Sequence, residues 1–285
     1  MISFPRPASG PPRPADRFGS VSVMHRRSVL AGLAAIGLAA PRASAATCAD
    51  VTTVMVLPVL HRRHADNPRY GYGDIDAIVA AFHPDRVGVE IRAEDMARDH
   101  GYLAANYPRE MIALADAYGT RAFGFDWLGD DLAGRAIPPQ WWTNGSAIKA
   151  MERDLDAHPL VRTARQRALN ARIDHLSAMQ NAIVAAATAP LLADGRYDRV
   201  TADYYRTVHR LLDGTRFAAL AAFYTRRDAE IAAAVVAATR AAPGRRIVIV
   251  TGCDHHGPVS RALRMAGACI RLAPVQAQAD AITPP

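Results

Sequence analysis

The chain has 285 residues, of which 50 % are hydrophobic and 21 % charged, and a formal net charge of +7 at neutral pH. Six arginines and one aspartate fall before residue 46, so +5 of that charge belongs to the N-terminal segment and +2 remains for residues 46–285. That remainder is long enough for one large domain with a substantial core, and it carries no basic stripe of the kind that tracks nucleic acid.

The first segment reads as a targeting signal. His25-Arg26-Arg27-Ser28-Val29-Leu30 sets an arginine pair directly before an apolar run, Val29 to Ala40, that is too short to anchor in a bilayer. Ala43-Ser44-Ala45 supplies the small-x-small pattern of a cleavage site. The expectation is a twin-arginine signal over 1–45, handled by the Tat translocase, with a periplasmic or secreted product cleaved near Ala45 and no stable membrane anchor. An uncleaved, anchored N-terminus is the alternative, and Met24 is a second candidate start. Of the three cysteines, Cys48 lies just past the cleavage site, while Cys253 and Cys269 either pair in an oxidising compartment or stay as buried thiols.

From residue 51 the pattern alternates strand and helix. Val51–Leu60 is almost wholly apolar and β-branched, as a strand covered on both faces should be. Gly73–Phe82 has helical spacing, Val87–Ile91 is a second short strand, Glu94–Tyr118 a helix interrupted near Tyr107-Pro108, and Ala122–Phe125 a third strand. This order predicts an α/β fold with a mostly parallel sheet flanked by helices. Residues 127–145 read as loop. A largely helical insertion occupies about 146–240, with breaks near Pro159, Pro190 and Asp213-Gly214, and Thr225/Asp228 spaced like a capping box that opens its last helix. Arg246–Thr251 is a fourth buried strand, a helix follows from Gly257, Cys269–Leu272 is a possible last strand, and 273–285 reads as a loose tail.

Ligands bind beyond the carboxyl ends of the strands in open parallel sheets. His61 and His64 follow the first strand, Glu90 sits on the second with Glu94 and Asp95 beyond it, Asp126 follows the third, and Asp254, His255 and His256 follow the fourth. Two histidines and a carboxylate with an open position make a candidate divalent-metal site, and a bound cation there would acidify water for hydrolysis. The set proposed is His61, Glu90 and His255, with His64, Glu94 and His256 in reserve. Glu90, buried in an apolar strand, needs a partner in any case, and Arg226 or Arg227 would serve with no metal at all. Arg226, Arg227 and Asp126 are the candidate substrate-binding residues.

Four motifs taken in order resemble the TraB/GumN/Tiki group, within the superfamily that includes erythromycin esterases and the haem-binding ChaN proteins. Pro58-Val59-Leu60-His61 stands where that group has GxxH, with proline in the glycine position. Val89-Glu90-Ile91 matches its glutamate strand, Arg226-Arg227-Asp228-Ala229-Glu230-Ile231 its arginine helix, and Gly252-Cys253-Asp254-His255 its second GxxH. The resemblance implies a rim site at the strand ends and a metal-dependent hydrolase of peptide or ester bonds. It leaves open a non-catalytic haem- or ligand-binding protein, with Tyr70, Tyr72, Trp141 and Trp142 lining a slot, or a degenerate scaffold.

Overall fold

The computed structural model describes Cys48 and residues 50–276. The expected signal segment and the end of the tail lie outside the described residues. The fold is α/β, as the alternation predicts. Five strands, β1 (Thr52–Val59), β2 (Arg86–Val89), β3 (Ala122–Gly124), β4 (Arg246–Gly252) and β5 (Ile270–Ala273), form one sheet in the order β3-β2-β4-β1-β5. Every pairing is parallel, with Val59 opposite Gly252 and Val89 opposite Val250. β4, the fourth strand in sequence, is therefore inserted between the first two.

Alternation along the strands feeds two cores. Met55, Leu57, Val59, Val87, Val89, Val248 and Val250 face one side, which is covered by α1 (Tyr72–Phe82), α3 (Arg109–Tyr118) and the short α6 (Ala189–Ala193). Val54, Val56, Ile247 and Ile249 face the other, against Ile231 and Val235 of α8 (Ala218–Arg240) and Val259 and Leu263 of α9 (Cys253–Met265). A third core joins α4 (Ala147–Ala157), α5 (Ala164–Ala185), α7 (Arg196–Leu212) and the first half of α8 through Leu176, Tyr204, Val208, Leu212 and Leu220. The helical middle is thus real, but α8 belongs to both parts: its Ile231/Val235 stripe returns it to the sheet. That helix begins at Ala218, so Thr225 is no cap; its hydroxyl instead meets His209 Nε2 at 2.6 Å.

The helix after β4 also starts earlier than expected, at Cys253, with Pro258 in its first turns. The 94–118 stretch divides at Tyr107-Pro108 as predicted, into α2 (His100–Asn106) and α3, but its α-helix begins only at His100, after a 3-10 turn at Ala93–Asp95. Cys48 pairs with Cys269, across the edge where the chain enters β1, and Cys253 is the free thiol. Of the alternatives left open for Cys253 and Cys269, a mutual disulfide or buried thiols, Cys253 takes the second and Cys269 neither. Cys253 starts α9 at the carboxyl end of the sheet, whereas Thr52 N–H bonds Cys269 O at the opposite end.

Candidate functional site

The carboxyl ends of β1, β2 and β4 are neighbours, and they bring His61, Glu90 and His255 together with Asp126 and Arg227 around a cavity of about 460 Å³. Each arrives by a local device. His61 follows β1 with a left-handed backbone, φ 51°, which turns the chain sharply out of the strand. The proline before it costs little. Thr52 N–H points to the β5 side and Thr53 N–H to the β4 side, so alternation puts position 58 on the β5 side. There β5 has already ended opposite Met55. Gly252 ends β4 at ordinary φ, yet a Cβ on it would lie 2.6 Å from His61 Nε2 and 3.4 Å from Glu90 Oε2. Glycine there leaves room for both side chains, and a larger residue would push the His61 ring aside.

Two carboxylates missing from the expected set organise the histidines. Glu110 Oε1 lies 2.8 Å from His61 Nδ1, and Asp228 Oδ1 lies 2.6 Å from His255 Nδ1. A carboxylate only accepts, so both rings must donate from Nδ1 and turn Nε2 inward. Burial lowers the pKa of His61, but the bond to Glu110 and the charge of Glu90 outweigh it and hold it above 6.5. For His255 burial again lowers, and Glu90 and Asp228 raise more than burial and Arg227 take away. Neutral His255 accepts Arg227 Nη1 at 3.2 Å; protonated, it faces Glu90 Oε1 at 3.5 Å.

Arg227 is the hub. Nη2 donates to Glu90 Oε1 at 3.0 Å and to Asp126 Oδ1 at 2.8 Å, and Nε donates to Asp126 Oδ1 and to Trp127 O. The other Glu90 oxygen takes Gly252 N–H at 2.7 Å and the Thr251 hydroxyl at 3.0 Å. Two carboxylates sharing one guanidinium split in acidity. Burial would raise Glu90, but His255, Arg227, His61 and the Gly252 N–H bring it down to about 2. Asp126 goes the other way: burial raises it, Arg227 opposes, and Glu90 raises it further. Of the guanidinium's five hydrogens, one on Nη1 has no acceptor among the described residues.

The remaining expected residues fall elsewhere. Arg226 is half exposed and pairs with Asp130 and Glu230 on the surface. It neighbours Trp127, with its guanidinium 4.9 Å from the ring centre, and does not line the cavity. His64 is buried and structural: Nε2 accepts Leu60 N–H and Nδ1 donates to Tyr70 O, each at 2.7 Å. Glu94 pairs with Arg92. His256 turns away to Asp198, 3.0 Å from Nδ1, with Ser260 Oγ 3.4 Å from Nε2. That row has the order of a catalytic triad, but Ser260 is buried at 3 % exposure, beyond a substrate's reach. Of the four aromatics expected to line a haem slot, only Trp142 lines the cavity; Tyr70 donates to Pro58 O, Tyr72 to His61 O, and Trp141 is buried. Cys253 does line it, but burial first and Asp254 second push its thiol up to about 12, so it stays protonated.

The His61/Glu90/His255 set does not fit a metal as it stands. Arg227 already bonds Glu90 Oε1 and His255 Nε2, and a dication on those atoms would meet its charge at close range. Among the described residues no group of three His, Cys, Asp or Glu side chains has the arrangement of a metal site. Nor is any helix among them long and apolar enough to cross a membrane. Comparison with protein-family models, with curated proteins and with solved structures finds no match.

Proposed function

We propose that the chain is an exported hydrolase of ester or peptide bonds, in which His61 is the general base and Arg227 receives the developing oxyanion. The observation that carries this reading is the His61–Glu110 pair. A carboxylate fixes the tautomer, and a basic Nε2 is left facing a cavity that also holds an incompletely used guanidinium. The His61 side chain is 34 % exposed, so water and substrate can reach it.

The step balances without a further reactant. His61 Nε2 takes a proton from water as the water oxygen attacks the carbonyl carbon. The carbonyl oxygen becomes negative and accepts the remaining Arg227 Nη1 hydrogen. Collapse breaks the bond to the leaving oxygen or nitrogen, and His61 returns the proton to it. Glu90 stays ionised and fixes the guanidinium; Asp228 fixes His255 beside it. The positive charge that a His/Glu/His metal site would supply comes from Arg227. The motif order shared with the TraB/GumN/Tiki group supports this class of reaction. Export is supported by the arginine-pair segment at 1–45 and by the Cys48–Cys269 disulfide, which suits an oxidising compartment.

Assays of the purified chain with p-nitrophenyl esters and peptide anilides test the reading. His61→Ala should lower kcat/KM by ~10²–10⁴-fold with folding retained, and EDTA should change nothing. Activity lost to EDTA and restored by zinc would return the reading to a metal-dependent hydrolase. No turnover of either substrate class, beside a visible Soret band on adding haem, would favour the binding-protein alternative.

A further inference from the structure

Four residues that line the cavity take no part in the chemistry above: Ala104 and Ala105 of α2, Pro108 just after it, and Trp142. The alanines are exposed and small, and Trp142, which packs against the first core, is only partly buried.

Trp142 is held at a cost. It lies in a single π-turn, Trp141–Gly145, entered through Gln140 at φ 60°, a left-handed conformation for a residue other than glycine. Its indole Nε1 is buried with no partner. Local strain and an unpaired donor are shed by a fold unless the position serves something, and π-turns gather at functional sites. The ring lies beside the reacting centre, with the Arg227 guanidinium 5.8 Å from its centroid.

Both walls are tied to one buried cation outside the site. Arg92, 2 % exposed, donates Nη1 to Leu132 O and Nη2 to Arg135 O, each at 2.7 Å, and Nε to Asp95 at 2.8 Å. Asp95 receives the hydroxyls of Tyr102 and Tyr107 from the α2 side, and Tyr102 Oη accepts Ile137 N–H at 2.8 Å. Pro138-Pro139 then leads stiffly into the tryptophan turn. The α2 end and the loop that carries Trp142 are therefore pinned to each other before any ligand arrives.

The ionisable groups of the cavity, Arg63, Arg227, His61 and His255 against Glu90, Asp254 and Asp126, are all separate from Trp142, Ala104, Ala105 and Pro108, whose side chains carry no charge. We infer that Trp142, Ala104, Ala105 and Pro108 form a preformed subsite for the apolar acyl arm of a neutral ester or amide, next to the His61/Arg227 centre. The inference rests on the hydrolase reading for the word acyl, but the subsite itself is separable from it.

Two arms test it. In the first, kcat/KM is measured for p-nitrophenyl acetate, butyrate and octanoate. The octanoate-to-acetate ratio should exceed one in the parent and fall by about tenfold in Ala105→Leu, which fills the wall, and in Trp142→Ala, which removes it. Melting curves verify that both variants fold. In the second arm, n-octanamide is titrated into His61→Ala, which binds without turnover, and quenching of indole fluorescence is followed. Quenching should saturate, and Trp142→Phe should abolish it while Trp127 and Trp141 remain. A ratio unmoved by both variants, or quenching that survives Trp142→Phe, overturns the subsite. No ester turnover together with saturable, Trp142-dependent quenching overturns the hydrolase reading and keeps the apolar subsite.

Discussion

His61 donates its Nδ1 hydrogen to Glu110 Oε1 across 2.8 Å, from the end of β1 to the first turn of α3. The other Glu110 oxygen is buried without a partner, so this imidazole is the carboxylate's one described acceptance. Glu110 thus acts on the reaction only through His61. Glu110→Ala should cost about 10- to 100-fold in kcat/KM, less than loss of the base itself. Glu110→Gln keeps an acceptor for Nδ1 but removes the charge. It should restore much of the rate and move the pH profile to lower pH. A Gln variant with the parental profile would show that Glu110 only packs.

The pH dependence has two parts with opposite signs. Burial lowers and Glu110 and Glu90 raise the His61 pKa, to a net value above 6.5, and a base must be unprotonated. The rate should therefore rise through an apparent pKa above 6.5. Stability runs the other way: what His61 contributes through its partner is fully present below 6.5 and is lost as pH rises past the folded value. For Glu90 the folded pKa is depressed to about 2, so its contribution is present above 4.5 and disappears as pH falls toward 2. The stability difference between the parent and Glu90→Gln, from urea titrations, should shrink as pH falls below 4.5, and should also fall as pH rises past the raised pKa values of His61 and His255, which the Glu90 charge supports. A difference that stays constant down to pH 2 would remove Glu90 from the ion network.

Arg227 holds two buried carboxylates whose side chains are 7 % and 2 % exposed. Arg227→Met leaves both facing one another without a cation and should cost about 3–5 kcal/mol, the usual penalty for breaking a buried pair from one side. Adding Asp126→Asn should recover part of that stability, because Asp126 is the carboxylate already pushed toward its neutral form. Neither change should restore turnover. Recovery of stability and turnover together would mean that Arg227 supports the fold and nothing more.

The sheet is legible in the sequence because strands covered on both faces must be continuous apolar runs, as 51–60 and 246–251 are. His61, Glu90, Asp126 and His255 are legible for a related reason: polar residues at the ends of such runs have few places to go but the rim. The choice between Arg226 and Arg227 is not. Neighbouring positions on a helix differ by about 100°, and the alanines of α8 give no clear apolar stripe around residue 226 to orient it. Glu110 is hidden because an acid in the first turn of a helix reads as favourable to the helix dipole. Its one signal is the apolar neighbour Met111, buried together with it. Asp228 hides in a surface-like Arg-Arg-Asp-Ala-Glu run. Strand order is equally invisible, since nothing local says that β4 enters between β1 and β2; yet that insertion makes Glu90, Gly252 and His61 neighbours.

The disulfide supplies the last test, because it bears on both fold and compartment. Cys48 and Cys269 are 221 residues apart, and their link ties the entry of β1 to the start of the edge strand β5. A cross-link closing so long a loop restricts the unfolded chain strongly, and its removal should cost about 2–5 kcal/mol. Cys48→Ser should therefore lower Tm by several degrees, and reduction of the parent should do the same, while Cys253→Ser should not. Thiol titration of the unreduced protein in denaturant should find a single reactive group, and Cys253→Ser should eliminate it. Chain isolated from the periplasm should carry the link and chain retained in a reducing cytoplasm should not. A periplasmic sample with three titratable thiols, or with the link formed by Cys253, would contradict both the pairing and the support it gives to export.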